Sequence, residues 1–128
     1  MYDCIIIGGG PGGVAAGVYA ARKQMKTLFL TESFNSQSTV STSIENWIGT
    51  VTISGFEFGQ SLEKHLRAQE GIEIETGVRA SKVAKRTEGG YRVETDKGQV
   101  YETKTIIVAS GGRHRHLNVP GEEKFNGK

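Results

Sequence analysis

One cysteine in 128 residues, Cys4, excludes an intramolecular disulfide, so any dithiol chemistry needs a second chain or a further segment. Set inside an apolar run, Cys4 reads as a small buried hydrophobe. No apolar stretch approaches the length of a membrane span. No long basic run interrupts the scattered charges, whose net is only +2, which argues against a polyanion-binding surface as the main function. The chain opens directly on a strand pattern, with no signal-peptide pattern ahead of it. These absences together predict a soluble protein of a reducing, cytoplasmic compartment. The length suits one domain with a real core and is short for a two-domain enzyme. Glycine is plentiful, at 18 residues, but has no G-X-Y period, so it marks turns and close approaches rather than a fibrous protein.

The densest glycine cluster organises the chain. Tyr2-Asp3-Cys4-Ile5-Ile6-Ile7 runs straight into Gly8-Gly9-Gly10-Pro11-Gly12-Gly13, a buried strand ending in a tight turn. Gly8, Gly10 and Gly13 fit G-x-G-x-x-G, in which the glycines serve the sharp turn, the approach of backbone to a pyrophosphate, and close helix-on-strand packing. The phosphates would sit at a helix N-terminus, where unpaired N–H groups and the helix dipole favour negative charge. A glycine-rich loop alone can be no more than a turn, and its context decides. Here an alanine-rich helix follows over Gly13 to Lys23, with Val14, Val18 and Ala21 near one face and Gly17 letting it lie close on the sheet. A second strand, Thr27 to Leu30, then leads to Glu32, about 20 residues beyond Gly13, where a ribose-binding carboxylate belongs. An ordinary solvated acid at a strand end is the plainer alternative for Glu32. Strand, turn, helix and acid in register point to dinucleotide binding.

Further along, Ser33 to Ser43 reads as a long polar loop, and loops of that length are often functional. It closes on Ile44-Glu45-Asn46-Trp47-Ile48-Gly49, where Trp47 either anchors the loop to the core or serves a site beside the Asn46 amide. Ser54 to Gln69 is helical, with Ser54 as cap, Phe58, Leu62, His65, Leu66 and Gln69 on one face, and Gly71 as terminator. His65 there reads as a packed or satisfied side chain rather than a catalytic one. Ile72 to Glu75 alternates as a strand does. Three β-like runs, Ala80 to Thr87, Tyr91 to Thr95 and Val100 to Thr103, are separated by turn residues and predict an antiparallel meander. Its charges (Lys82, Lys85, Arg86, Arg92, Glu94) suit a solvent face; without interleaved aromatics they do not make a nucleic-acid surface. Thr105 to Ala109 reads as a further, central parallel strand ending in Ser110-Gly111-Gly112, so that both glycine turns face one ligand. The tail, Arg113 to Gly121, reads as a basic extended segment with no further element; His114 and His116 offer a metal pair or, more simply, part of a solvated loop.

Four stretches, Gly8-Gly9-Gly10-Pro11-Gly12-Gly13, Ile44-Glu45-Asn46-Trp47, Ile106-Ile107-Val108-Ala109-Ser110-Gly111-Gly112 and Val119-Pro120-Gly121-Glu122, resemble the low-molecular-weight thioredoxin reductases and the related flavoprotein component of alkyl hydroperoxide reductase. The resemblance implies an α/β chain with a three-layer Rossmann-like (ββα) FAD-binding fold, its sheet mostly parallel and joined by a three-stranded antiparallel meander over about residues 78–104. It further implies that Gly8, Gly10, Pro11 and Gly13 hold the FAD pyrophosphate and Glu32 the adenosine ribose. Gln37 would lie beside the ribityl chain, Asn46 near the isoalloxazine ring and Ala80 near the adenine, with Ala109, Ser110 and Gly111 as a further FAD contact. Asn35 and Ser36 depart from the family's paired glycines before Gln37; if those glycines serve positive φ or close approach, the side chains here reshape the flavin contact. The family's NADPH domain and Cys-x-x-Cys pair have no counterpart in these residues, so the chain reads as the first part of a single FAD domain, a fragment or truncation. The implied function is an FAD-dependent oxidoreductase passing electrons between NAD(P)H and a disulfide, with NADPH bound only in a longer parent. Implied partners are a disulfide protein of thioredoxin type, met through the absent domain, and a second copy in a homodimer; neither nucleic acid nor membrane is expected. The competing readings are a non-catalytic dinucleotide-binding module needing a partner segment, and a relative whose flavin works without a cysteine pair.

Overall fold

The computed structural model describes residues 1–112 and 115–125. Strand β1 (Tyr2–Ile7) leads through the glycine turn into helix α1 (Pro11–Arg22) and back to β2 (Thr27–Thr31). A 3₁₀ turn (Gln37–Val40) interrupts the polar loop before helix α2 (Gly55–Arg67) and strand β3 (Ile72–Thr76). Strands β4 (Ala80–Lys85), β5 (Tyr91–Thr95) and β6 (Val100–Val108) follow, and a single turn of helix α3 (Glu122–Phe125) closes the described residues. The sheet order is β3-β2-β1-β6-β5-β4. β3, β2, β1 and β6 are parallel; β6, β5 and β4 are antiparallel.

Strand alternation divides the core into two faces. Cys4 and Ile6 of β1 and Phe29 of β2 point to the helices, packing with Val14, Val18 and Leu66, while Ile5, Leu28 and Leu30 point to the meander side and meet Val78 and Val93. Every residue of β2 is buried, as expected of a parallel strand covered on both faces. The result is the three-layer α/β arrangement. Cys4 is 2 % exposed, the small hydrophobe its position suggested.

Glycines admit the helices. A Cβ at Gly17 would lie 2.6 Å from Leu66 Cδ1 and 3.2 Å from Phe29 Cδ2, so α1, α2 and the sheet meet at that residue. One at Gly55 would lie 2.1 Å from the Ser38 carbonyl oxygen, which seats the 3₁₀ turn against the start of α2. The α2 start is also held by a capping box: Glu57 N–H donates to Ser54 Oγ at 3.2 Å, and Ser54 N–H donates to the Glu57 carboxylate at 3.3 Å. Ser54→Ala is expected to cost about 1 kcal/mol, measurable by denaturant unfolding; an unchanged midpoint contradicts that role.

Three sequence expectations are corrected. The third meander strand and the Thr105–Ala109 run are one strand, β6. Thr103, wholly buried, pairs with Tyr91 of β5 and with Tyr2 of β1, and there the strand passes from the antiparallel half of the sheet to the parallel half. Glu102 and Lys104, on either side of Thr103, occupy the outward positions of the alternation; Lys104 is ion-paired with Asp3 at 2.6 Å. His65 is exposed beside the apolar stripe, whose buried members are Phe58 and Leu66. The tail is not merely extended: the Glu122 carboxylate accepts from the backbone N–H groups of Leu117 and Asn118, each at 2.8 Å, folding the Val119-Pro120-Gly121 stretch back into α3.

On the meander side, the Tyr2 hydroxyl donates to Glu73 at 2.6 Å and the Tyr101 hydroxyl to Glu75. Burial, then the bond to Glu73, pushes the Tyr2 hydroxyl up to about 12, and Tyr101 is raised by burial and Glu75. The folded state therefore keeps these protons where the unfolded chain loses them. Their contribution is intact below about pH 10 and is lost as pH rises from there through the folded value. In a spectrophotometric titration, Tyr2→Phe is expected to remove a component ionising near pH 12; removal of one at about pH 10 contradicts this.

Candidate functional site

The C-terminal ends of β1, β2 and β6 open into a cleft of about 1210 Å³. This exceeds the roughly 300–1,000 Å³ of ordinary small-molecule pockets. Its floor is the first glycine turn. Gly8 N–H donates to Leu30 O at 2.9 Å and Ala109 N–H to Ile7 O at 2.8 Å, so both glycine turns stay bonded to the strands up to the point where they diverge.

The glycines of the turn fall into two groups. Gly8 has φ +118, and a Cβ there would lie 2.2 Å from Ala109 O; one at Gly9 would lie 2.4 Å from Ser33 O, and one at Gly13 1.9 Å from Gly8 O. These three are demanded by the protein's own backbone. Gly10 and Gly12 are not: a Cβ at Gly10 would make only an ordinary 3.6 Å contact with Ser36 Cβ, and one at Gly12 would meet nothing within 4 Å. Both line the cleft. Gly10 is the N-cap of α1 in extended backbone, Pro11 starts the helix, and no side chain caps it. The first-turn amides of α1 are thus left to whatever enters the cleft.

Of the residues singled out from sequence, Gly8, Gly10, Pro11, Glu32, Gln37, Ala80, Ala109, Ser110 and Gly111 line this one cleft. Gly13 lies behind it, under Gly8. Asn46 is outside the lining, in the exposed segment that an Ile44–Ile53 bridge closes. Trp47 anchors that segment, edge-on to the buried Phe58 ring at 4.8 Å between centroids. Gln37 spans the cleft mouth: its Nε2 donates to Gly112 O at 3.0 Å, linking the 3₁₀ turn to the second glycine turn. His114 lies outside the described residues; His116 Nδ1 is 3.5 Å from Glu122. Among the described residues no group of three potential metal ligands converges.

Asn35 and Ser36 also line the cleft, yet neither has positive φ; Ser36 is extended at φ −116. Backbone conformation therefore gives no reason for glycine at either position in this chain. Sequence reading missed Arg79, whose Nη2 donates to Glu32 Oε2 at 2.7 Å. That bond, more than the Coulomb attraction of Glu32, raises the affinity of the guanidinium for its proton. The partners are 47 residues apart and meet only because β3 lies beside β2 and its exit crosses the end of that strand. A second hollow, about 630 Å³, sits wholly within the 116–124 turn and shares no residue with the cleft.

Residues 2–128 match the pyridine nucleotide-disulphide oxidoreductase family, and the chain belongs to it. The F subunit of alkyl hydroperoxide reductase from Staphylococcus epidermidis is 37 % identical over 127 residues, covering 99 % of this chain and 25 % of that protein. The Staphylococcus aureus protein of the same description is 38 % identical over the same length. Thioredoxin reductase from Lactococcus lactis superposes with a TM-score of 0.86 at 34 % identity, over 98 % of this chain and 40 % of that one. The T. acidophilum thioredoxin reductase gives 0.84 at 31 %, over 99 % and 41 %. The chain thus spans about a quarter of the length of these curated relatives and about two fifths of the solved reductases. The fold is that of the thioredoxin reductase neighbours.

Proposed function

We propose that the cleft holds the adenosine diphosphate half of FAD. The observation that carries this reading is the bare backbone of Gly10 and Gly12 at the uncapped N-terminus of α1, glycine where the fold itself does not ask for it. The donor set fits such a group: first-turn amides for the diphosphate, the Glu32 carboxylate to accept from ribose hydroxyls, Ala80 and Val78 as an apolar flank for the adenine. Gln37 and the Ala109-Ser110-Gly111 turn, which also line the cleft, are assigned to the ribityl chain in this reading. Asn46, beyond the lining, is assigned to the flavin-ring end on resemblance alone. FAD, when bound, supplies the electron chemistry; the residues of this chain bind and orient it.

For the whole protein we propose an FAD-dependent oxidoreductase passing electrons between NAD(P)H and a disulfide, consistent with relatives described as thioredoxin reductase and as the F subunit of alkyl hydroperoxide reductase. Nicotinamide binding and the dithiol belong to segments other than this one. A thioredoxin-type disulfide partner, homodimeric assembly and a cytoplasmic location are parts of the same proposal. Among the described residues no helix is long and apolar enough to cross a membrane. The test is a titration of the purified chain with FAD, followed in the visible flavin band. A saturable change is expected; a folded chain giving no saturable change overturns the proposal for this cleft.

A further inference from the structure

We propose that Arg79 is a positioning residue for Glu32, fixing the carboxylate that receives the adenosine ribose; this rests on the FAD reading of the cleft. Glu32 and Arg79 are the two charged side chains among the residues that line the cleft, and they are paired with each other at 2.7 Å. Glu32 follows the last residue of β2 and its side chain is 64 % exposed, so by itself it would visit several rotamers.

The backbone of Arg79 is held on both its polar groups. Asp96 N–H donates to Arg79 O at 2.9 Å and Arg79 N–H donates to Asp96 Oδ1 at 3.0 Å, a two-point clamp from the β5–β6 turn. The approach to Arg79 is tied to β2 as well: Gly77 N–H donates to Glu32 O at 3.1 Å and Val78 N–H to Thr31 O at 3.3 Å. The guanidinium is thereby delivered to the end of β2, where it occupies Oε2 and leaves Oε1 for a ribose hydroxyl. Pairing also offsets the two opposed preferences of the adenosine end, since an acid there favours the free 2′-hydroxyl and an arginine there accommodates a 2′-phosphate.

The test measures FAD, ADP and 2′,3′-dideoxy-ADP affinities for the wild-type chain, Arg79→Ala, Arg79→Lys, Glu32→Gln and the Arg79→Ala/Glu32→Gln double variant, with circular dichroism to verify folding. Because the pair is solvent-exposed, Arg79→Ala is expected to weaken FAD and ADP by about two- to fivefold. Arg79→Lys, which keeps the charge and loses the planar fork, is expected to recover part of that loss. The effect should vanish in the Glu32→Gln background and for the dideoxy ligand, neither of which offers the contact Arg79 supports. Equal weakening of ADP and dideoxy-ADP, or an undiminished effect without the Glu32 carboxylate, overturns the positioning role while leaving the cofactor site standing. A wild-type chain that binds neither FAD nor ADP overturns both.

Discussion

Gly8→Ala is expected to lower the melting temperature by roughly 10 °C, the loss of about 3 kcal/mol. Two costs combine. The backbone at Gly8 has φ +118, a conformation that side chains rarely adopt, and the new Cβ would lie 2.2 Å from Ala109 O and 2.6 Å from Ala109 C. Those atoms are backbone and cannot rotate away. Moving either one strains the junction at which β1 is bonded to both β2 and β6. That junction carries Ile5 and Ile6, both wholly buried, so the disturbance enters both faces of the core. Thermal unfolding by circular dichroism measures it; a change within about 2 °C would mean the turn relaxes freely.

Gly10→Ala, two residues along, is expected to do the opposite: the fold survives and the ligand is lost. Gly10 has φ −78 and ψ −179, which alanine adopts without strain, and its Cβ would meet only Ser36 Cβ at 3.6 Å. The cost to stability is that of a poorer helix N-cap, about 0.5–1 kcal/mol. If the cleft holds the diphosphate as proposed, a methyl group added at this lining position competes with it for the approach to the α1 amides, and FAD affinity is expected to fall about tenfold or more, at least ~1.4 kcal/mol. Flavin titration and thermal melting on the same preparation separate the two effects. Unchanged FAD affinity would remove the argument for Gly10 as a ligand glycine, and a melt as low as that of Gly8→Ala would show it to be structural.

The contrast between these two glycines shows where sequence reading stops. The pattern β-branched run, glycine cluster, alanine-rich helix, second strand and acid fixes the β1-α1-β2 unit, because each step is local and its period is unambiguous. Which glycines the fold itself demands depends on Ala109 and Ser33, brought there by pairing across the sheet. The β6 misreading has a related cause. Thr103 pairs with strands on both sides, and no local pattern announces a strand that changes partner and orientation along its length. Glu32 was legible from its distance to Gly13; its arginine was not, because Arg79 arrives through strand order rather than spacing. Asn46 was marked by resemblance, and the cleft lining does not extend to it. Trp47 beside it has a packing role that an edge-on contact with Phe58 explains.

In the proposed reading this cleft recognises the adenosine diphosphate end of the cofactor, through the α1 amides at one point and Glu32 at another. The direct measurement is competition against bound FAD by ADP and by FMN, each titrated over the same concentration range. Displacement by ADP with little or none by FMN is expected, because the proposed reading gives the lining residues Gly10, Gly12, Glu32, Val78 and Ala80 to phosphate, ribose and adenine. Displacement by FMN with none by ADP would contradict recognition of the adenosine diphosphate end and place it at the flavin ring.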